Sequence, residues 1–182
     1  PESLHFRILN SRGITTFATQ MTTPLSLIQS ALIGFAVGDA LGVPVEFESR
    51  APLRDNPVTG MLGHMRYNQE QGTWSDDSSM VFCTAESLCS GYYIEDIGLS
   101  FSKWRNDRLW TPHGRVFDIG IQTQKAIGRS DRLIENGLRI KPISEVGVSE
   151  RENGNGSLMR ILPLAFYLKG KPPDEQFRLI KD

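Results

Sequence analysis

Ser75, Asp76 and Asp77 stand side by side in the run Gly72-Thr73-Trp74-Ser75-Asp76-Asp77-Ser78-Ser79-Met80. A hydroxyl followed by two carboxylates offers three hard oxygen donors within one helical turn, which suits Mg2+, Mn2+ or Ca2+ rather than zinc. The same residues also read as a helix start, with Ser75 as the N-cap and the two acids complementing the helix dipole. A second constellation, residues 38–46 (GDALGVPVE), places Asp39 and Glu46 around a glycine-broken helix end. The macrodipole opposes an acid near a helix C-terminus, so Asp39 calls for a cation, a substrate hydroxyl or a surface salt bridge. A third stretch, residues 153–160 (NGNGSLMR), runs a Gly-Asn loop into a helix. Backbone N–H groups there suit an anion, and a turn with flexible glycines is the alternative. Its spacing is not that of a P-loop. A fourth stretch, residues 114–123, sets Asp118 at a glycine-bounded helix start, where it reads as an N-cap.

Helices must position these groups. Thr23-Pro24 reads as an N-cap with Pro at the first helical position, and Leu25, Ile28, Leu32, Phe35 and Ala36 follow at helical steps up to Gly42-Val43-Pro44. A loop rich in Pro, Gly and Asn is expected over 49–72. A second helix starts at Ser75 and stops at Gly91. A third covers 94–107 with Ile97, Phe101 and Trp104 on one face, a fourth 118–127, and a fifth 155–168 with a kink at Pro163. Pro172-Pro173-Asp174-Glu175 starts one more helix close to the last residue. No run shows strand alternation and no repeat is visible, so the expected class is all-α, a globular helical array.

The 182 residues suit one domain with a sizeable core, and 39% of them are apolar. Lys plus Arg is 20 and Asp plus Glu is 21, a net charge of -1. A near-neutral chain has no overall draw toward nucleic acid or anionic membrane, and neither is expected as a partner. No uninterrupted apolar run approaches the roughly 20 residues of a spanning helix. Cys83 and Cys89 lack the partners of a zinc site or a disulfide framework and read as two buried thiols in a reducing, cytoplasmic compartment. His5, His64 and His113 stand at no metal-binding spacing. Residues 1–20, with Arg7, Arg12 and a single acid, Glu2, read as an N-terminal extension ahead of a domain over 21–182, with Met21 offering a natural start.

Taken together and in this order, GDALGVPVE at 38–46, WSDDSSM at 74–80, FDIGIQT at 117–123 and GNGSLMRILPL at 154–164 resemble the ADP-ribosylglycohydrolase family. The resemblance implies an all-helical fold and a hydrolase with two divalent cations, Mg2+ or Mn2+, in a cleft. It implies Ser75, Asp76 and Asp77 as metal ligands, Glu46 and Asp118 as catalytic acids, and Asp39 as an acid near metal and substrate. Gly154, Asn155, Gly156, Ser157 and Met159 would hold the ribose and pyrophosphate of ADP-ribose. The substrate would be an ADP-ribosylated protein or an ADP-ribose derivative, and the bond broken its glycosidic link. The family's late Asp-x-Asp-Ser/Thr motif is not present in these 182 residues. The chain is therefore expected to be the N-terminal portion of such a domain, with half of the metal site, little activity alone and exposed apolar surface that favours self-association.

Overall fold

The computed structural model describes residues 26–141 and 154–181, and among them every regular element is a helix. Helix α1 (Leu27–Gly42) opens on a capping box. Ser26 Oγ accepts from the Gln29 N–H at 3.2 Å, and Gln29 Oε1 accepts from the Ser26 N–H at 2.9 Å. Two donors that a helix start leaves free are thereby satisfied. The expected cap at Thr23-Pro24 lies outside the described residues. α1 gives way to a 3-10 turn (Val43–Val45), because Pro44 has no N–H to continue the ladder. The 49–72 stretch is not loop throughout: Arg50–Asp55 forms a short helix, α2. Pro52 falls in its first turn, where a missing N–H removes no hydrogen bond.

Helix α3 (Asp76–Leu88) runs through the middle of the molecule. It packs most closely on α4 (Ile94–Asp107) and α7 (Leu162–Tyr167), and also on α1 and α6 (Gly156–Met159). Met80, Val81 and Cys83 are fully enclosed, and so are Ser78 and Ser79. A helix buried on nearly every side must satisfy its polar groups internally. Ser79 Oγ donates to the Ser75 carbonyl at 2.8 Å, Thr84 Oγ1 donates to the Met80 carbonyl at 2.9 Å, and Ser87 Oγ pairs with Ser100 Oγ at 3.1 Å. Met80 and Cys83 meet Trp104 of α4 and Ile127 of α5 (Ile121–Glu135) in the core, with Phe101, Trp110, Val116, Ile119 and Met159 packed around them. Helix α8 (Pro173–Lys181) buries Leu179, whose carbonyl accepts from Tyr92 Oη at 3.1 Å.

Three more expectations need correction. α5 begins at Ile121 behind a Gly120 N-cap and continues to Glu135, so Asp118 lies ahead of the helix and is not its cap. The single kinked helix over 155–168 is two short helices, α6 and α7, with a break at Arg160-Ile161. Pro163 cannot donate to the Met159 carbonyl, and the ladder ends there. Cys83 is buried, its thiol pushed up to about 12 by burial, but Cys89 is exposed where α3 ends. Leu27–Val45 contains no unbroken apolar run of spanning length, yet it has mean hydropathy 1.5 over a length sufficient to cross a membrane, with 17% of it buried. Its polar interruptions, Gln29, Ser30 and Asp39, hide that average from a search for unbroken apolar runs.

Candidate functional site

Asp39, Glu46, Ser75, Asp76, Asp77 and Asp118 line one cavity of about 450 Å3, with Phe35, Gly38, Gly42 and Val43 forming the rest of its wall. Three segments deliver them: the last turn of α1 and the 3-10 turn, the start of α3, and the segment ahead of α5. Ser75 adopts an extended backbone and its Oγ accepts from the Asp77 N–H at 3.2 Å, so it is the α3 N-cap. That cap sets Asp76 and Asp77 in the first turn, where the helix dipole favours negative charge.

Asp39 is the most heavily hydrogen-bonded of the six. Its Oδ2 accepts from the Ser75 N–H at 2.9 Å, from the Ser78 N–H at 3.1 Å and from Ser78 Oγ at 2.6 Å. Its Oδ1 accepts from Ser75 Oγ at 2.7 Å. The acid that the α1 dipole opposes thus faces the positive end of α3, which accounts for its position without a salt bridge.

The remaining acids crowd one another. Burial, then the nearby Asp118, Asp77 and Asp39, pushes the Asp76 carboxyl up to about 7, against the pull of the Gly120 N–H that donates to it. Burial, then Asp39, Glu46 and Asp118, pushes Asp77 up to about 6. Glu46 Oε2 accepts from Tyr67 Oη at 2.8 Å. Burial, and then the nearby Asp118 and Asp39 carboxyls, raise the Glu46 pKa, while the Tyr67 bond lowers it. Phe47, with φ 62°, turns the chain sharply just after Glu46 and leaves its own ring in solvent beside the Arg66 guanidinium. A left-handed aromatic residue is a strained backbone position.

Residues 154–157 and Met159 do not line this cavity. Gly154 lies against Gln122, and a Cβ on Gly156 would fall 2.5 Å from Thr123 Oγ1. Met159 packs on the core. Arg160 lies over the Phe101 ring at 5.2 Å, where burial lowers its pKa. Asn155 and Ser157 are exposed. What the geometry gives this segment is a close fit onto the first turn of α5, the helix that follows Asp118.

Two residues of the site escaped the sequence reading. Ser78 belongs to a motif already singled out, and its place three residues after the N-cap was the available signal. Tyr67 lies in a segment without periodicity, and nothing in the sequence ties it to Glu46. A hard divalent cation matches the donor chemistry, since all the donors are oxygens and a bound cation relieves the mutual repulsion of crowded carboxylates. The match is partial: among the described residues no three His, Cys, Asp or Glu side chains converge as a ready metal site.

An all-helical protein with a cleft lined by five carboxylates is the class that fold and site define. The ADP-ribosylglycohydrolase family profile matches residues 20–182, and the chain belongs to that family. The ADP-ribosylarginine hydrolase Tri1 of Serratia proteamaculans is 33% identical over 147 residues, 79% of this chain and 37% of that protein. The ADP-ribosyl-dinitrogen reductase glycohydrolase of Rhodospirillum rubrum is 31% identical over 148 residues, 79% of this chain and 45% of that protein. A solved structure of an ADP-ribosylglycohydrolase-related protein complex superposes with a TM-score of 0.59 at 28% identity, covering 83% of this chain and 45% of its own. The chain thus spans 37% to 45% of the length of these relatives.

Proposed function

We propose that this chain supplies the acid-lined half of a hydrolase site that cleaves the glycosidic bond between ADP-ribose and a modified protein side chain, arginine being the first to test. The observation that carries the reading is the convergence of Asp39, Glu46, Ser75, Asp76, Asp77 and Asp118 on one cavity in a chain of this family. Ser75, Asp76 and Asp77 would hold Mg2+ or Mn2+, with two ions expected in a complete site. A bound divalent cation supplies Lewis-acid stabilisation of ribose oxygens and of the attacking water. The chain's own part is proton handling. Glu46 and Asp118 line the same cavity, and burial with the neighbouring Asp118 raises the Glu46 pKa, which suits Glu46 to carry a proton beside a second carboxyl group. Such a pair can take a proton from water and return one to the departing group as charge builds at the anomeric carbon. Tyr67 fixes the Glu46 carboxyl during that exchange. The 154–160 segment is the proposed neighbour of the ribose and pyrophosphate.

A second reading, an ADP-ribose binder without turnover, draws on the absence of three convergent ligands among the described residues. Calorimetric Mn2+ titration of the unaltered chain, Asp76→Ala and Glu175→Ala tests the cation site. Glu175 of α8 pairs with Lys171 just ahead of that helix, does not line the cavity, and serves as the control. Asp76→Ala should weaken binding at least tenfold, a loss typical of altered metal sites. Equal affinity in both variants overturns the cation site. Turnover of ADP-ribosylated arginine peptide with Mn2+ favours the hydrolase; binding of ADP-ribose without turnover favours the second reading.

A further inference from the structure

We infer that Asp39 is a positioning residue that aims the Ser75 hydroxyl, so that its oxygen faces the cavity as an acceptor. This rests on the divalent-cation reading above. The Ser75 O–H proton is committed to Asp39 Oδ1 at 2.7 Å. One lone pair of the same oxygen takes the Asp77 N–H at 3.2 Å. A hydroxyl has one donor and two acceptor positions, so a single lone pair remains. Ser75 lines the cavity, and that lone pair is what it has to offer there. A hydroxyl left to rotate could instead present its proton, which repels a cation. Asp39 is not free to act as a ligand itself, because its Oδ2 already gathers three donors from Ser75 and Ser78. It caps α3 from outside that helix, across 36 to 39 residues of sequence, and fixes the hydroxyl direction with the same carboxylate.

The asparagine variant separates the two roles. In Asp39→Asn the amide oxygen takes the place of Oδ2 and keeps the three donors. The amide nitrogen then faces Ser75 Oγ and donates to it, which occupies the remaining lone pair and turns the hydroxyl proton away. Two readouts apply: amide hydrogen exchange at Ser78, and Mn2+ affinity by electron paramagnetic resonance. Asp39→Asn should keep Ser78 protected and weaken Mn2+ binding about 10–100-fold, as other changes behind a metal ligand do. Asp39→Ala should lose both. In a Ser75→Ala background, Asp39→Asn should change Mn2+ affinity no further, because the oriented group is gone. Unchanged Mn2+ affinity in Asp39→Asn overturns the orienting role, and full Ser78 protection in Asp39→Ala overturns the cap. If the unaltered chain takes up no Mn2+, the cation reading falls and the orienting role with it, while exchange at Ser78 still decides the cap.

Discussion

Asp76 and Asp77 are held where full ionisation is unfavourable, and the sign of the resulting pH dependence follows directly. The Asp76 carboxyl titrates near 7 in the folded chain, against about 3.9 in an unfolded one. Between those values the folded state binds more protons than the unfolded state, so stability falls as pH rises from about 4 to about 7 and stays at the lower level above. At about 1.4 kcal/mol per pK unit, Asp76 alone accounts for up to about 4 kcal/mol. Asp77, raised to about 6 and less enclosed, adds a smaller share in the lower part of that window. Urea midpoints near pH 5 and pH 8 measure this: Asp76→Asn should flatten the slope, and Mg2+ should restore stability at the higher pH. Tyr67→Phe tests the other acid. It keeps the ring against Phe117, at 5.5 Å between centroids, and removes the donor to Glu46. Stability should drop by about 1 kcal/mol. The Glu46 carboxyl, followed by carbon NMR, should titrate higher than in the unaltered chain, since the lost bond was lowering it.

At the scale of elements, the fit of α6 onto α5 has no slack. A Cβ on Gly156 would meet Thr123 Oγ1 at 2.5 Å and Thr123 Cβ only at 3.9 Å. Gly156→Ala should therefore destabilise by about 1–3 kcal/mol in thermal unfolding. Adding Thr123→Ala, which deletes Oγ1, should recover most of that loss, whereas a purely backbone cause would leave it in place. The same comparison shows what the sequence could disclose. α3 and α4 run as expected, from Asp76 to Leu88 and from Ile94 to Asp107: Ser75 caps α3, Ile97, Phe101 and Trp104 give α4 its one-sided apolar period, and a turn follows each. α5 and the α6–α7 pair differ. Asp118 has the residue type of a cap, but the folded chain places it in the cavity with Glu46 and leaves the cap to Gly120. Pro163 marked an interruption, and whether it bends or ends a helix depends on how the two pieces pack. In the cleft, the contiguous Ser75-Asp76-Asp77 motif was readable. The Asp39–Ser78 and Tyr67–Glu46 bonds join residues 39 and 21 positions apart, a pairing that only the folded chain specifies.

Across the whole molecule, α1 stands out for the apolar residues it leaves exposed. Ala40 is its one buried residue, and Leu27, Ile28, Ile33 and Val37 remain exposed. Apolar surface of this kind favours association, so sedimentation of the chain should show a mass that rises with concentration. Ile33→Lys with Val37→Lys should return it to a monomer at the same concentrations; an unaltered chain already monomeric throughout would contradict this. Alongside its packing on α7, the fully buried residues and the side-chain hydrogen bonds to α3 that hold α1 lie at its C-terminal end, in Asp39, Ala40, Val43 and Pro44. An element fastened mainly at one end is suited to open as a unit, ahead of global unfolding. Each such excursion carries away Asp39, Glu46 and one wall of the cavity. Whatever binds in the cleft then sees only the docked fraction of molecules, and its apparent dissociation constant rises in inverse proportion to that fraction. Anything that clamps α1 onto α3 acts as an affinity control without touching an acid.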